Sequence, residues 1–156
     1  MGANNAVRRI DAAGNVSTFA GLMTASGRVD GPVASARFQF VGPLAFAPDG
    51  ALYVTEIGSL VIRRIAPDGL SVSTLSAYTF VTGSLAIGAD GTLYYGTTSG
   101  LAMQPAGGAP SVLIPQGPAV VLGANPSLMK VDGLAILGPK QLVILSGGQI
   151  LKATLP

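Results

Sequence analysis

Apolar residues along this chain fall in short runs broken by Asp-Gly, Gly-Ser and Gly-Gly pairs, and they do not recur at the three-and-four spacing of an amphipathic helix. The clearest stretch predicts four strands: Leu44 to Ala47, Leu52 to Glu56, Val61 to Ala66 and Val72 to Ser76. Pro48-Asp49-Gly50, Gly58-Ser59 and Pro67-Asp68-Gly69 supply the turns between them. Glycine takes the positive φ such turns require, so the pattern is an antiparallel meander. Before it, Val7 to Asp11 and Val16 to Ala20 read as a third and a fourth strand, joined by Ala13-Gly14-Asn15. After it come Leu101 to Gln104 and Ser111 to Ile114 around Gly107-Gly108, and finally Gln149 to Leu155. Helix is expected at most as a single helical or 3₁₀ turn over Val33 to Arg37, with Pro32 in a tolerated first position.

The strands belong to a repeat. Pro43-Leu44-Ala45-Phe46-Ala47-Pro48-Asp49-Gly50-Ala51-Leu52-Tyr53-Val54 recurs as Ser84-Leu85-Ala86-Ile87-Gly88-Ala89-Asp90-Gly91-Thr92-Leu93-Tyr94-Tyr95. A weaker third copy begins Gly133-Leu134-Ala135-Ile136 and ends Gln141-Leu142-Val143-Ile144. Leu44 and Leu85 are 41 residues apart and Leu85 and Leu134 are 49 apart, the length of a small four-stranded unit. Counted this way, the units contribute two, four, four and three strands. The chain therefore opens in the second half of a unit, and an earlier segment is expected to precede it.

Composition agrees with a turn-rich β protein. Charged residues are 10% of the 156, against a globular norm of roughly 25%, while Gly occurs 22 times and Pro 11 times. A net charge of +2 gives no basic footprint for nucleic acid, and so few cations leave RNA the weakest partner class. There is no cysteine and no histidine, which removes thiol chemistry and the usual general base and metal ligand near neutral pH. No apolar window is long enough for a membrane span, and the N-terminal residues contain no signal-peptide core. No catalytic residue, metal or cofactor is expected.

The pattern Gly27-Arg28-Val29-Asp30-Gly31-Pro32, Ala36-Arg37-Phe38, Leu44 to Val54 and Val61-Ile62-Arg63-Arg64-Ile65-Ala66-Pro67-Asp68-Gly69 closely resembles bacterial NHL repeats, and Asn4 to Asp11 extends it. The good match covers residues 4 to 77, and the rest matches in outline. The resemblance implies an all-β, β-propeller-type array of about three four-stranded antiparallel blades, incomplete as a single chain. Residues 1–156 would then form a single NHL-like repeat domain with blade parts at about 4–21, 43–77, 84–116 and 133–156. Relatives of this kind are typically six-bladed and mostly bind proteins, glycans or RNA, with a minority of lyases and lactonases, and many are exported or at the cell surface. The expected function is a non-catalytic binding or scaffold module with a protein or glycan partner. The alternative is a fragment of a metal-dependent lyase or lactonase whose catalytic residues lie elsewhere. Two copies would supply about six blades, so a homodimer completing the ring is expected.

Four residues are candidates for ligand binding: Arg8, Arg63, Glu56 and Tyr78. Arg8-Arg9 and Arg63-Arg64 hold equivalent repeat positions, and adjacent strand residues face opposite sides of a sheet. One of each pair can form an anion-gripping ridge, or each can pair with a nearby carboxylate and cap its blade. The other two units have Ala102 and Met103, and Leu151 and Lys152, at those places. Glu56 ends a second strand, where metal-dependent relatives line a channel with acids and imidazoles; its counterparts are Thr97 and Ser146. Tyr53 and Tyr94 are expected to pack between blades and Tyr78, in an inter-blade loop, to be exposed. Asp30 and Arg37 are expected to form a salt bridge across a tight loop. The Asp-Gly pairs at 49, 68 and 90 sit on separate turns, which does not build a calcium cage.

Overall fold

The computed structural model describes residues 4–75, 81–115, 117–118, 127–128, 130–138 and 140–155. These residues form strands and no helix, hence none long and apolar enough to cross a membrane. In order the strands are β1 (Ala6–Ile10), β2 (Val16–Gly21), β3 (Gly31–Pro32), β4 (Val41–Phe46), β5 (Leu52–Glu56), β6 (Val61–Ile65), β7 (Ser71–Thr74) and β8 (Val81–Ile87). They continue as β9 (Leu93–Thr97), β10 (Gly100–Gln104), β11 (Ser111–Pro115), β12 (Gly117–Pro118), β13 (Ser127–Leu128), β14 (Gly133–Gly138), β15 (Gln141–Ser146) and β16 (Gln149–Thr154).

Four antiparallel sheets follow the repeat. β1 pairs with β2; β4 to β7 form the second sheet, with β3 added beyond β7; β8 to β11 form the third; β14 to β16 form the fourth. The two, four, four and three strands read from sequence are all present. Two short additions escape that pattern: β3, and the pair β12–β13, whose residues lack the alternation by which a strand announces itself. The turn over Val33 to Arg37 closes on one acceptor, the Pro32 carbonyl, which takes bonds from Ser35 N and Ala36 N at 2.9 and 2.8 Å, and then stops without becoming a helix.

Strand periodicity places alternate residues in two different cores. Along β5, Leu52 and Val54 join Val7, Ala20, Phe38, Ile65 and Val72 between the first and second sheets. Tyr53 faces the other way, against Ile62, Leu85, Tyr95 and Ala102 between the second and third. In β9 the same division sends Leu93 and Tyr95 back to that core and Tyr94 forward to Leu101, Leu142 and Ile144 against the fourth sheet. Successive sheets thus pack face to face through three apolar layers, as blades do, and Tyr53 and Tyr94 lie between blades as expected.

Asp49-Gly50 and Asp90-Gly91 occupy matching hairpin turns. Ala47 N donates to Ala51 O at 2.8 Å and Gly88 N to Thr92 O at 2.8 Å, with Gly50 at φ 85° and Gly91 at φ 81°. Each aspartate accepts the amide two residues on, at 3.0 Å. Gly58 serves a different purpose from the one its turn suggests: Leu60, at φ 57°, takes the left-handed conformation there. A Cβ on Gly58 would lie 2.8 Å from the Gln39 carbonyl oxygen, so that glycine permits close approach of two loops. Replacing Gly50 with Val forces a β-branched residue into its positive φ and is expected to cost on the order of 1 kcal/mol or more, read from the denaturant midpoint. An unchanged midpoint would show that the turn tolerates a side chain.

Candidate functional site

The end of the second strand that carries Glu56 holds the densest polar cluster among the described residues. Arg63, on β6, is fully buried, and Glu56, at the end of neighbouring β5, is fully buried beside it. Arg63 Nη1 donates to Glu56 Oε2 at 3.0 Å, and Nη2 donates to Asp30 Oδ1 at 2.7 Å. Asp30 arrives on the segment that crosses from the first blade to the second. There Val29 and Arg37 exchange backbone hydrogen bonds, and both of their carbonyls also accept from Arg63, at 2.8 and 3.0 Å. The guanidinium lies 4.9 Å from the centroid of the Phe38 ring, and its Nε is the one buried side-chain nitrogen or oxygen among the described residues that lacks a hydrogen-bond partner.

Asp30 is half exposed and fixed from its other side by Thr74, whose hydroxyl and amide donate to it at 2.9 and 3.0 Å. Burial disfavours its charge, but the Thr74 bonds and the Arg63 cation outweigh that and hold its carboxyl below the ordinary value. Asp30 therefore does not pair with Arg37. The Arg37 guanidinium turns back to the Ala34 and Ala36 carbonyls at 3.2 and 2.7 Å, because Arg63 reaches Asp30 from the core side of the crossing segment.

The equivalent arginine has a different setting. Arg8 is exposed and donates to Thr18 Oγ1 at 2.8 Å and to Met23 Sδ at 3.1 Å. It faces the side of β1 on which no blade packs among the described residues, so nothing supplies the acids and carbonyls that enclose Arg63. The two positions do not form a ridge of solvent-facing arginines. Their neighbours diverge too: Arg64 donates to Asp49 Oδ2 at 3.0 Å and lies 6.0 Å from the Tyr53 ring centroid. Tyr78 lies outside the described residues. Asp30 as the second acid of the cluster was not legible from residue type and spacing, because its partner is 33 positions away.

The counterparts of Glu56 are also engaged locally. The Thr97 hydroxyl donates to the Gly100 carbonyl at 3.0 Å and accepts from Ser99 N at 3.1 Å. Ser146 is buried and accepts from Lys130 N at 3.4 Å. The three equivalent strand ends thus present a buried, ion-paired carboxylate and two hydroxyls hydrogen-bonded to backbone. No group of three or more metal-ligating side chains occurs among the described residues.

No protein-family model and no curated protein matches the sequence. Solved structures do match in fold. A structural-genomics protein of unknown function from Bacteroides thetaiotaomicron superposes with a TM-score of 0.68 at 18% identity, over 88% of this chain and 34% of that one. A gluconolactonase from Xanthomonas campestris gives 0.65 at 19%, over 97% of this chain and 44% of that one. A streptogramin B lyase gives 0.59 at 14%, over 99% and 49%. The chain has the fold of a propeller-type blade array. It spans less than half the length of each of these three neighbours.

Arg63 and Arg8 offer a direct contrast between a buried and a surface arginine at one repeat position. Arg63→Met strands Glu56 and is expected to cost about 3–5 kcal/mol, because an unpaired buried charge remains. Arg8→Met is expected to stay within about 0.5 kcal/mol. Denaturant unfolding of the two variants checks this, and equal losses would contradict the assignment of Arg63 as the buried member.

Proposed function

We propose that this chain is a non-catalytic binding or scaffold module built from NHL-like β-propeller blades, closed into a ring by a second copy of itself. The observation that carries this is the fate of Glu56. At the strand end where a propeller enzyme would place a working acid, the carboxylate is buried and ion-paired with Arg63, and Thr97 and Ser146 stand at the matching places. A fully buried carboxylate whose two oxygens both accept from Arg63 presents no open face to a substrate, and the sequence has no histidine to take up acid–base work.

Ring closure draws on the open edges. β1 pairs only with β2, and β16 only with β15, which leaves a row of unpaired backbone groups on each among the described residues. Exposed apolar residues lie on these two strands, Ile10 at 69% and Ile150 at 77% of full exposure. Such edges invite pairing with another chain.

The names of two neighbours, a gluconolactonase and a streptogramin B lyase, favour a second function: a portion of a lactonase or lyase, metal-dependent as the family resemblance implies, whose catalytic residues lie outside this chain. Glucono-δ-lactone hydrolysis by this chain, followed with and without Ca²⁺, Mg²⁺, Mn²⁺ or Zn²⁺, tests the non-catalytic reading. The expected rate equals that of buffer with the same metal; a metal-dependent excess would overturn that reading, and its persistence in Glu56→Gln would place the working acid elsewhere, as the second reading requires. For the ring, light scattering after size exclusion is expected to give about twice the 15.6 kDa chain mass. A single species at the monomer mass would rule out the paired assembly.

A further inference from the structure

The opposite end of the second strands, where the Asp-Gly turns lie, carries two related clefts between blades. The first, of about 240 Å³, lies between the second and third sheets and is bordered by Asp49, Tyr53, Asp90 and Ala106. The other, of about 490 Å³, lies between the third and fourth sheets and is bordered by Asp90, Tyr94, Ile136, Leu137, Leu142 and Leu155. Both are built from the same repeat positions, so the first serves as an internal reference for the second.

In the first unit a carboxylate, a phenol ring and a cation come together. β5 and β6 are in register with Arg64 opposite Tyr53, and from there the guanidinium reaches Asp49. β9 and β10 repeat that register with Met103 opposite Tyr94. The third sheet therefore retains the aspartate and the tyrosine and lacks the cation. The ion pairs among the described residues are Arg63 with Asp30 and Glu56, Arg64 with Asp49, and Lys130 with Asp132; Asp90 is in none of them. The Lys140 carbonyl accepts from Leu155 N at 2.8 Å, and Lys140 makes no ion pair with Asp90.

Asp90 is exposed and oriented by its own turn. Its Oδ1 accepts from Thr92 N at 3.0 Å and its Oδ2 from the Thr92 hydroxyl at 2.9 Å. Those two bonds hold the carboxyl below its ordinary value, so it stays charged at neutral pH. Oδ2 is the oxygen that takes the guanidinium in the first unit, and one hydroxyl bond leaves it a lone pair for a second donor. Burial and the Asp90 charge push the Tyr94 phenol up, so it remains neutral. Facing this polar corner, the fourth sheet contributes Ile136, Leu137 and Leu142, an apolar wall suited to a hydrocarbon stem.

We propose that the cleft between the third and fourth sheets binds an alkylguanidinium, the group that ends an arginine side chain, with its cation on Asp90 and its alkyl chain along Ile136, Leu142 and Leu155. The ligand supplies from outside what Arg64 supplies from within one blade earlier. The cleft lies at the far end of the blade from Glu56, so its occupancy is independent of whether that end does chemistry.

The test is a titration of the isotope-labelled protein with n-butylguanidinium, followed by amide chemical shifts, with n-butanol as the neutral comparison. Saturable shifts confined to Gly88–Tyr94, the 133–146 hairpin and Leu155 are expected with the cation and not with the alcohol. Asp90→Asn is expected to weaken binding about tenfold or more, since a hydrogen bond to a charged group is lost. Met103→Arg, which restores the internal cation, is expected to block the cleft in the same way. Arg64→Met is expected to open a second saturable set at Asp49–Tyr53. Absence of saturable shifts, equal response to butanol, or full binding retained by either Asp90→Asn or Met103→Arg would overturn the proposal.

Discussion

A buried guanidinium organises the best-formed part of this molecule. Arg63 is inside the protein, and a charge there is tolerable only if nearly every donor finds an acceptor and opposite charge stands close by. Four groups meet that demand: Glu56 from the adjacent strand, Asp30, and the carbonyls of Val29 and Arg37. Three of the four belong to the crossing segment. Satisfying the arginine therefore fixes the path of the chain from the first blade to the second, and with it the position of Phe38 in the first inter-blade core. β3 follows from the same constraint, since Gly31 and Pro32 are laid against β7 directly after Asp30 is anchored on Thr74.

The two later blades solve the same packing problem without this device. Where Arg63 stands the third sheet has Ala102, buried with Tyr95 in its core, and the fourth has Leu151. Apolar residues there remove the need for acids at the strand ends, and Thr97 and Ser146 in place of Glu56 fit that exchange. Cation and carboxylate are replaced together because neither is tolerable when buried alone. The change in repeat quality after residue 77 thus has a physical unit: a buried arginine–carboxylate network is present in one blade and, among the described residues, absent from the next two.

The fold was legible because its signals are local. Asp-Gly turns, alternation within strands and the repeated Leu-Ala and Leu-Tyr pairs each act over a few residues, and they located the four sheets. The candidate site was less legible because its determinants are distant. Arg8 and Arg63 share a repeat position and are each followed by Arg-Ile, yet one is solvated and the other enclosed, according to whether a blade packs on that side. Asp30 was visible as an acid near Arg37, but its partner was chosen by the register of β6 and β7, which spacing along the chain does not encode. The short strands β3 and β12–β13 escaped for a related reason: they exist only because a neighbour offers hydrogen bonds to an otherwise irregular segment.

The inter-blade tyrosines show how a repeat diversifies without altering its frame. Tyr53 and Tyr94 are held in place by the same cross-strand pairing, and each leaves its ring beside the aspartate of its own hairpin. What varies is the residue opposite the ring, Arg64 in one blade and Met103 in the next. Both are long and unbranched, so the exchange preserves packing against the aromatic face. It does not preserve charge. A substitution that is almost neutral for the apolar layer is decisive for the carboxylate at the rim, which passes from an internal partner to solvent. Surface chemistry in such an array is set by positions the core barely constrains, and neighbouring blades with one backbone can present different chemistry at the same end.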